Sequence, residues 1–421
     1  MSPAVLDDRA PDQPAPGALP PPISRGSAEF RRMMLALVAA GFSTFALLYA
    51  VQPLLPQFTV DFGRTAAEAC LAVSASTGVL AGALIFAGVV ADRVERRRMM
   101  VASMIAAGIL TLIVAAAPSW PLLLAARALT GLALAGVPAV ALTYIAEEVD
   151  APSIGLAVGL HIGGNVFGGM SGRLATGVLA DHFGWRAAVA AVAVLSLAAA
   201  VLLRLVLPAS RRFQPRRRPL GAALSGFALL FRDKGLPWLF LESFVCMGGF
   251  VTIYNYIGFR LLGPPYNLSQ SAVGLIFALY LLGMVSSPLV GDLAGRLGRR
   301  KVLWAVVAAM LAGVALTLAR PLALVVTGMG VMTFAFFGVH SVASSWVARR
   351  AGAQRAQGSS LYLFFYYLGA SVVGYLGGIA WDGAGWPGVV WLVEACLALG
   401  LAAALGLVFL RPLVEPRPPA A

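Results

Sequence analysis

Charge is what this 421-residue sequence has least of. Asp, Glu, Lys and Arg together make up 12% of it, about half the share that a soluble chain carries. Acids are the scarcer sign, 18 against 31 Lys and Arg. Histidines number 3 and cysteines 3. Cys70, Cys246 and Cys396 sit inside apolar stretches without metal-ligand spacing, which argues against a metal site and against a disulfide framework. No Ser-His or His-Glu set stands at helical spacing, so an enzyme working in the membrane would lack its nucleophile–base or metal set. No enzyme activity, metal or cofactor is expected. The net charge of +13 does not imply nucleic acid, because the basic residues lie in short breaks between apolar blocks, where membrane topology accounts for them.

Hydrophobic residues, in contrast, fill 60% of the chain. They come in blocks of about 20, the length that crosses a bilayer as a helix. Twelve helices are predicted, at 33–57, 68–91, 99–117, 121–146, 154–178, 187–207, 236–260, 270–294, 302–319, 322–347, 358–381 and 387–410. Residues 1–32, rich in Pro and Ala, read as a disordered cytoplasmic tail without a cleavable signal. The predicted domains are an N-terminal six-helix bundle over 33–207, a basic cytoplasmic linker over 208–235, a C-terminal bundle over 236–411 and a tail over 412–421. Nearly all Lys and Arg outside the helices fall in alternate breaks; the remaining breaks hold only Arg64, Arg186, Arg260 and Arg320. This bias predicts a multi-pass protein of a bacterial inner membrane with both termini in the cytoplasm. Arg127 and Arg173 lie within helices.

The two halves echo each other. Gly88-Val-Val-Ala-Asp92-Arg93-Val94-Glu95-Arg96-Arg97-Arg98 follows helix 2, and Gly291-Asp-Leu-Ala-Gly295-Arg296-Leu297-Gly298-Arg299-Arg300-Lys301 follows helix 8, offset by 203 residues throughout. GVP at 136–138 is matched by GVH at 338–340, and FGW at 183–185 by AGW at 384–386. Parallel repeats of six spans are a known transporter plan.

The first loop resembles the loop motif of the major facilitator superfamily. Arg127-Ala-Leu-Thr-Gly131 in helix 4 resembles the arginine motif of that family. Gly164-Asn-Val-Phe-Gly168-Gly169-Met-Ser-Gly172-Arg173 in helix 5 is similar to the glycine-rich motif of its drug–proton antiporter branch. The whole pattern looks most like the acriflavine-sensitivity group of bacterial efflux permeases. Glu95 departs from the loop glycine and Gly295 from the loop aspartate; Gly169 replaces a proline and Arg173 a glycine. The resemblance implies an all-α membrane protein: the major facilitator fold, 12 transmembrane helices in two pseudo-symmetric six-helix bundles. It further implies a monomeric secondary transporter that exports hydrophobic or amphipathic small molecules by alternating access, with the proton as coupling ion. An exporter or facilitator of a metabolite, such as a sugar or amino-acid derivative, is the alternative.

Candidate residues follow from the cost of polarity in a bilayer. Arg127, Glu242 and Glu394 are coupling candidates, since an ionisable group within a span is functional by default. Helix 1 offers no acid. Gly164, Gly168, Gly169 and Gly172 form a small-residue stripe for close helix packing; the family resemblance assigns helix 8 as its partner, through Gly283, Ser286 and Ser287. Tyr49, Gln52, Tyr144, Asn165, Tyr254, Asn255, Tyr256, Phe364 and Tyr367 are candidates for a mainly apolar cavity. His161 and His340 are expected to be hydrogen-bonded structural groups. The family resemblance brings the cytoplasmic loops face to face, and two charge locks are expected to close that side: Asp92 and Glu95, from a loop that also holds Arg93 and Arg96, against Arg349, Arg350 and Arg355, and Glu147, Glu148 and Asp150 against Arg296, Arg299 and its basic neighbours.

Overall fold

Proline and glycine set most of the helix limits. In the computed structural model, which describes residues 21–215 and 226–410, helix 1 starts at Ala28, where the Ser27 hydroxyl accepts from the Phe30 N–H at 3.0 Å. It runs to Tyr49, tightens into a 3-10 turn over Gln52–Leu54 and resumes over Leu55–Phe62. Pro53 and Pro56 lack the N–H groups that Tyr49 and Gln52 would have bonded, and this breaks the ladder. Helix 2, Ala66–Ala91, opens on a capping box of Thr65 and Glu68. Helix 3, Arg96–Ala116, is capped by Glu95. Helix 4 comes in two pieces, Trp120–Leu134 and Gly136–Glu148.

Helices 5 and 6 form one stretch, Ile154–Val206, that turns back at Gly184 (φ 78°). Helices 11 and 12 do the same over Arg355–Val408 at Gly385 (φ 61°). These two glycines, in FGW and AGW, hold a left-handed φ that L side chains rarely adopt. Between them lie helix 7, Leu236–Leu262, helix 9, Arg299–Leu316, and helix 10, Leu322–Arg350. Helix 8 is built of Gln270–Leu275, a 3-10 stretch Ile276–Tyr280, and Leu281–Leu297.

Among the described residues, nine stretches are long and apolar enough to cross a membrane. The two that reverse at Gly184 and Gly385 cross twice, and Arg299–Leu316 is a further apolar helix after the three basic residues at its start. The protein is therefore all-α, with twelve crossings in two pseudo-symmetric bundles.

Part of the predicted tail is ordered. Ile23, buried against Met33 and Tyr144 in one apolar cluster, pairs with the loop after helix 4. Its N–H donates to the Glu148 carbonyl at 2.7 Å, and its carbonyl accepts from the Asp150 N–H at 3.1 Å. Composition alone missed this because one well-buried isoleucine and two backbone bonds anchor an otherwise polar segment. Residues 1–20, most of the basic stretch of the linker (216–225) and the tail from 411 lie outside the described residues.

The helix 5 glycines pack against helix 1 and not helix 8. A Cβ on Gly164 would meet the Val38 carbonyl at 2.6 Å, one on Gly168 would strike Phe42 backbone, and one on Gly172 would meet the Ala46 Cα at 2.8 Å. In helix 8, a Cβ on Gly283 would instead strike the Phe337 ring at 2.5 Å, Ser286 donates to the Phe334 carbonyl at 2.5 Å, and the Ser287 carbonyl accepts from Ser341, all in helix 10. The sequence of helix 5 carries two stripes with four-residue spacing, and the second, Gly155, Gly159 and Gly163, has nothing within 4 Å of its would-be side chains.

Candidate substrate site and gates

The two bundles meet at the arginine-poor end. The Asp181 carboxylate at the end of helix 5 accepts from the Ser271 N–H at 3.2 Å and from its hydroxyl at 2.7 Å, at the start of helix 8. The Asp382 carboxylate at the end of helix 11 accepts from the Ala66 and Ala67 N–H groups at 3.3 and 3.4 Å, at the start of helix 2. Each acid stands two residues before its FGW or AGW repeat and satisfies free N–H groups at the positive end of a helix in the other half. Deeper in, Ser74 and Ser371 exchange hydroxyl-to-carbonyl bonds of 3.0 and 2.8 Å. Gly177 and Gly274 bring helices 5 and 8 together, a Cβ on the first lying 3.1 Å from the Cα of the second. Towards the arginine-rich end, side chains added at Gly82 and Gly88 of helix 2, or at the second glycine stripe of helix 5, would meet nothing within 4 Å.

A polar network spans the halves beneath this closure. Gln52 donates from Nε2 to Asn255 Oδ1 at 2.6 Å, and Asn255 donates to the Cys70 sulfur at 3.2 Å. Gln52 and Asn255 occupy equivalent positions of the repeat, 203 residues apart. Arg173, 2% exposed, donates from Nε to Gln52 Oε1 at 2.5 Å and from Nη1 to the Gly169 carbonyl at 2.5 Å. Its guanidinium lies over three rings, 4.1 Å from the centre of Tyr49, 4.7 Å from Tyr280 and 5.5 Å from Phe277.

Arg127 is equally buried but wholly committed to backbone. It donates to the Ala72 carbonyl at 2.7 Å, Leu47 at 3.0 Å and Leu48 at 2.5 Å. Leu47 and Leu48 are in the last turn of helix 1, just before the proline break, where carbonyls lose their helical partners. Arg127 thus caps a broken helix, and the geometry favours an architectural role over coupling.

Of the two acids, Glu242 is fully buried. Cys246 donates to its Oε1 at 3.8 Å, its Oε2 has no partner, and Gly400 of helix 12 comes against it. Glu394 is half-buried with Oε1 unpartnered. His161 donates to the Leu37 carbonyl at 2.9 Å and His340 meets the Tyr362 hydroxyl at 3.1 Å, as expected of structural histidines.

The arginine-rich end shows acids serving their own half. Glu147 binds Arg96 at 2.9 and 3.2 Å. Glu148 accepts from the Arg212 N–H at 2.9 Å, and Glu95 caps helix 3. Arg350 makes a bidentate pair with Asp233 at 2.8 and 2.7 Å, and Arg296 pairs with Asp292 one turn away. Asp92 ends helix 2 as its C-cap and Arg93 is exposed. In this conformation, therefore, Glu147 and Arg350 are engaged inside their bundles and not across them.

The predicted cavity residues divide. Tyr49, Gln52 and Asn255 converge on Arg173. Tyr144 does not: it lies in the core at the other end and donates to the Pro208 carbonyl at 2.8 Å. Tyr256 is spent on the Gly374 carbonyl at 2.9 Å, and Tyr254 bonds Thr333 at 2.8 Å while stacking on Phe277. Asn165 crowds Gly41 of helix 1. Phe364 and Tyr367 join an aromatic run with Phe365 and Tyr366. Tyr144 was misplaced because an aromatic residue within a span reveals neither its face nor its depth. Arg173, Phe277 and Tyr280 were missing from the candidates, although a charge within a span was the signal for the first.

A tight inter-bundle closure at one end and a buried polar centre shared by the two halves are the marks of a membrane carrier. The chain matches the Major Facilitator Superfamily profile over residues 35–263 and 243–421, and it belongs to that superfamily. It is 45% identical over 379 residues to the inner membrane transport protein YnfM of Escherichia coli (strain K12), covering 90% of this chain and 91% of the relative. It is 42% identical over 381 residues to the uncharacterized MFS-type transporter YybF of Bacillus subtilis (strain 168), covering 90% and 94%. Among solved structures it resembles the nucleoside transporter NupG (TM-score 0.75, 18% identity, 89% and 99% covered). It also resembles a D-xylose-proton symporter (TM-score 0.73, 15% identity, 91% and 98% covered). The likeness to these two structures is one of fold. The protein is a multi-pass membrane transporter of small molecules.

Proposed function

We propose that this carrier exports amphipathic small molecules in exchange for protons across a bacterial inner membrane. The arginine-rich end faces the cytoplasm in this reading, as the positive-inside bias requires, and the conformation described is then open to the cytoplasm. The observation that carries the coupling is Glu242. A carboxylate with an unpartnered oxygen is costly away from water, which makes Glu242 the group to take up a proton. Its contact with Gly400 and Cys246 supports a proton site in the C-terminal bundle, which must move relative to its partner during transport. Arg127 has no part in the exchange. The aromatic lining around Tyr49, Tyr280 and Tyr366 suits a solute with an apolar body.

The test is uptake of the neutral dye N-phenylnaphthylamine into inverted membrane vesicles, with and without an imposed pH gradient. Gradient-driven uptake that Glu242→Gln abolishes is expected. Uptake indifferent to the gradient sinks the coupling, and none above empty-vector vesicles sinks export of apolar solutes.

A further inference from the structure

Arg173 is a buried cation with half of a site around it. Among the described residues no carboxylate pairs with it; its partners are one amide oxygen, one carbonyl and three ring faces. Two of those rings belong to Tyr49 and Tyr280, whose hydroxyls are buried with no hydrogen-bond partner. Three donor-bearing groups from helices 1, 5 and 8 thus converge without an acceptor of negative charge. The backbone is irregular on both sides: the 3-10 turn Gln52–Leu54 supplies Gln52, and the 3-10 stretch Ile276–Tyr280 supplies Phe277 and Tyr280. Interrupted membrane helices that meet near the midplane are where carriers hold their solutes, and 3-10 turns inside long helices often mark functional sites.

We propose that Arg173 anchors the anionic head, a carboxylate or its like, of an organic solute, with the Tyr49 and Tyr280 hydroxyls as further donors. This rests on the export reading above and narrows its substrate class to amphipathic organic anions. The planar guanidinium matches a carboxylate's two oxygens. Gln52 and Gly169 take up Nε and Nη1 of the guanidinium beside Tyr49, which leaves Nη2 for the ligand. Phe45, whose ring centre is 6.3 Å from that of Tyr49, and Phe250 and Phe337, 5.3 and 6.0 Å from Tyr280, supply walls for the apolar body.

The test uses the purified full-length chain in detergent and thermal-shift titration with three acids, benzoate, naphthoate and biphenylcarboxylate, each beside its carboxamide. At least one acid is expected to bind roughly tenfold or more tightly than its amide, since hydrogen bonds to charged groups are the stronger ones. The preference should fall to within about twofold in Arg173→Gln and survive, weakened, in Arg173→Lys, which keeps the charge and loses the planar fork. If Arg173→Gln does not fold, the Tyr49→Phe, Tyr280→Phe double variant should cut the same preference several-fold. No acid preferred over its amide, a preference untouched by these substitutions, or the same stabilisation by chloride or phosphate alone overturns the inference. Gradient-driven dye uptake without any acid preference would leave export standing and this inference refuted; acid preference without dye uptake would do the reverse.

Discussion

Arg127 and Arg173 are both buried in the N-terminal bundle, and the membrane treats them differently because their partners differ. Arg127 spends its donors on three backbone carbonyls of helices 1 and 2. Arg173 has one carbonyl and one amide and lies among aromatic faces and idle hydroxyls. A buried charge with its hydrogen bonds met is a rivet. A buried charge held in place but lacking a counter-ion is a receptor. Position within a span does not distinguish the two; the list of acceptors does.

Substitution puts that contrast at its sharpest. Arg127→Ala leaves the Leu47 and Leu48 carbonyls at a helix break without their donors and removes a bond to the Ala72 carbonyl within helix 2, and each unmet buried group costs about 1–3 kcal/mol. The largest fall in thermal stability in detergent is expected there, with loss of a monodisperse peak in size exclusion. Arg173→Gln should cost far less, since it also removes an unpaired charge. Equal losses in the two variants would erase the distinction.

A smaller effect is expected from Gly168→Leu. Its side chain would strike the Phe42 backbone, and overpacking of this kind costs about 1–3 kcal/mol. Gly159→Leu, on the open stripe of the same helix, should leave stability unchanged, and a matching loss there would mean that the open stripe is also packed. Next come the caps at the arginine-poor end. Asp181→Asn and Asp382→Asn each weaken a helix-terminus contact worth about 1 kcal/mol. Cysteines placed at that end should label several-fold faster in either variant, and faster still in both. Unchanged labelling would show that the glycine and serine contacts alone keep this end shut.

The smallest effect concerns acid. Burial raises the Asp233 carboxyl, but bonds from Arg350 and from the N–H groups of Gly235 and Leu236 outweigh it and leave the group below the usual carboxylate range. Its stabilisation is therefore complete above the ordinary carboxylate pKa and disappears as pH falls through the lowered value. Asp233→Asn should lower the melting temperature near neutrality and flatten its decline in acid. An acid limb as steep as that of the parent chain would assign the decline to other carboxylates.

Much of the fold was legible in the sequence because the bilayer enforces it. Span lengths, the arginine bias and the repeat register all come from costs too large for tertiary context to overturn. The site was legible only in part. Tyr49, Gln52 and Asn255 stood out as polar groups in apolar helices, but the centre of their cluster, Arg173, depends on how helix 5 is rotated. Gly172 faces helix 1, and the next residue, about 100° further round, reaches the rings of helices 1 and 8. Two glycine stripes in one helix likewise cannot say which neighbour takes which. The order of the segment before helix 1 rests on Ile23 and its two backbone bonds, which composition cannot single out.

Contacts between the halves follow an exchange rule. Gln52 meets Asn255, its own counterpart in the repeat. Asp181 caps helix 8 while Asp382 caps helix 2, and those helices are counterparts too. An interface in which the same patch appears on both sides is isologous, the arrangement of a twofold homodimer. Surfaces of that kind fit each other without help from the chain that joins them. The peptide between helices 6 and 7 then supplies proximity and not shape, and the two bundles made as separate polypeptides should still assemble into one carrier.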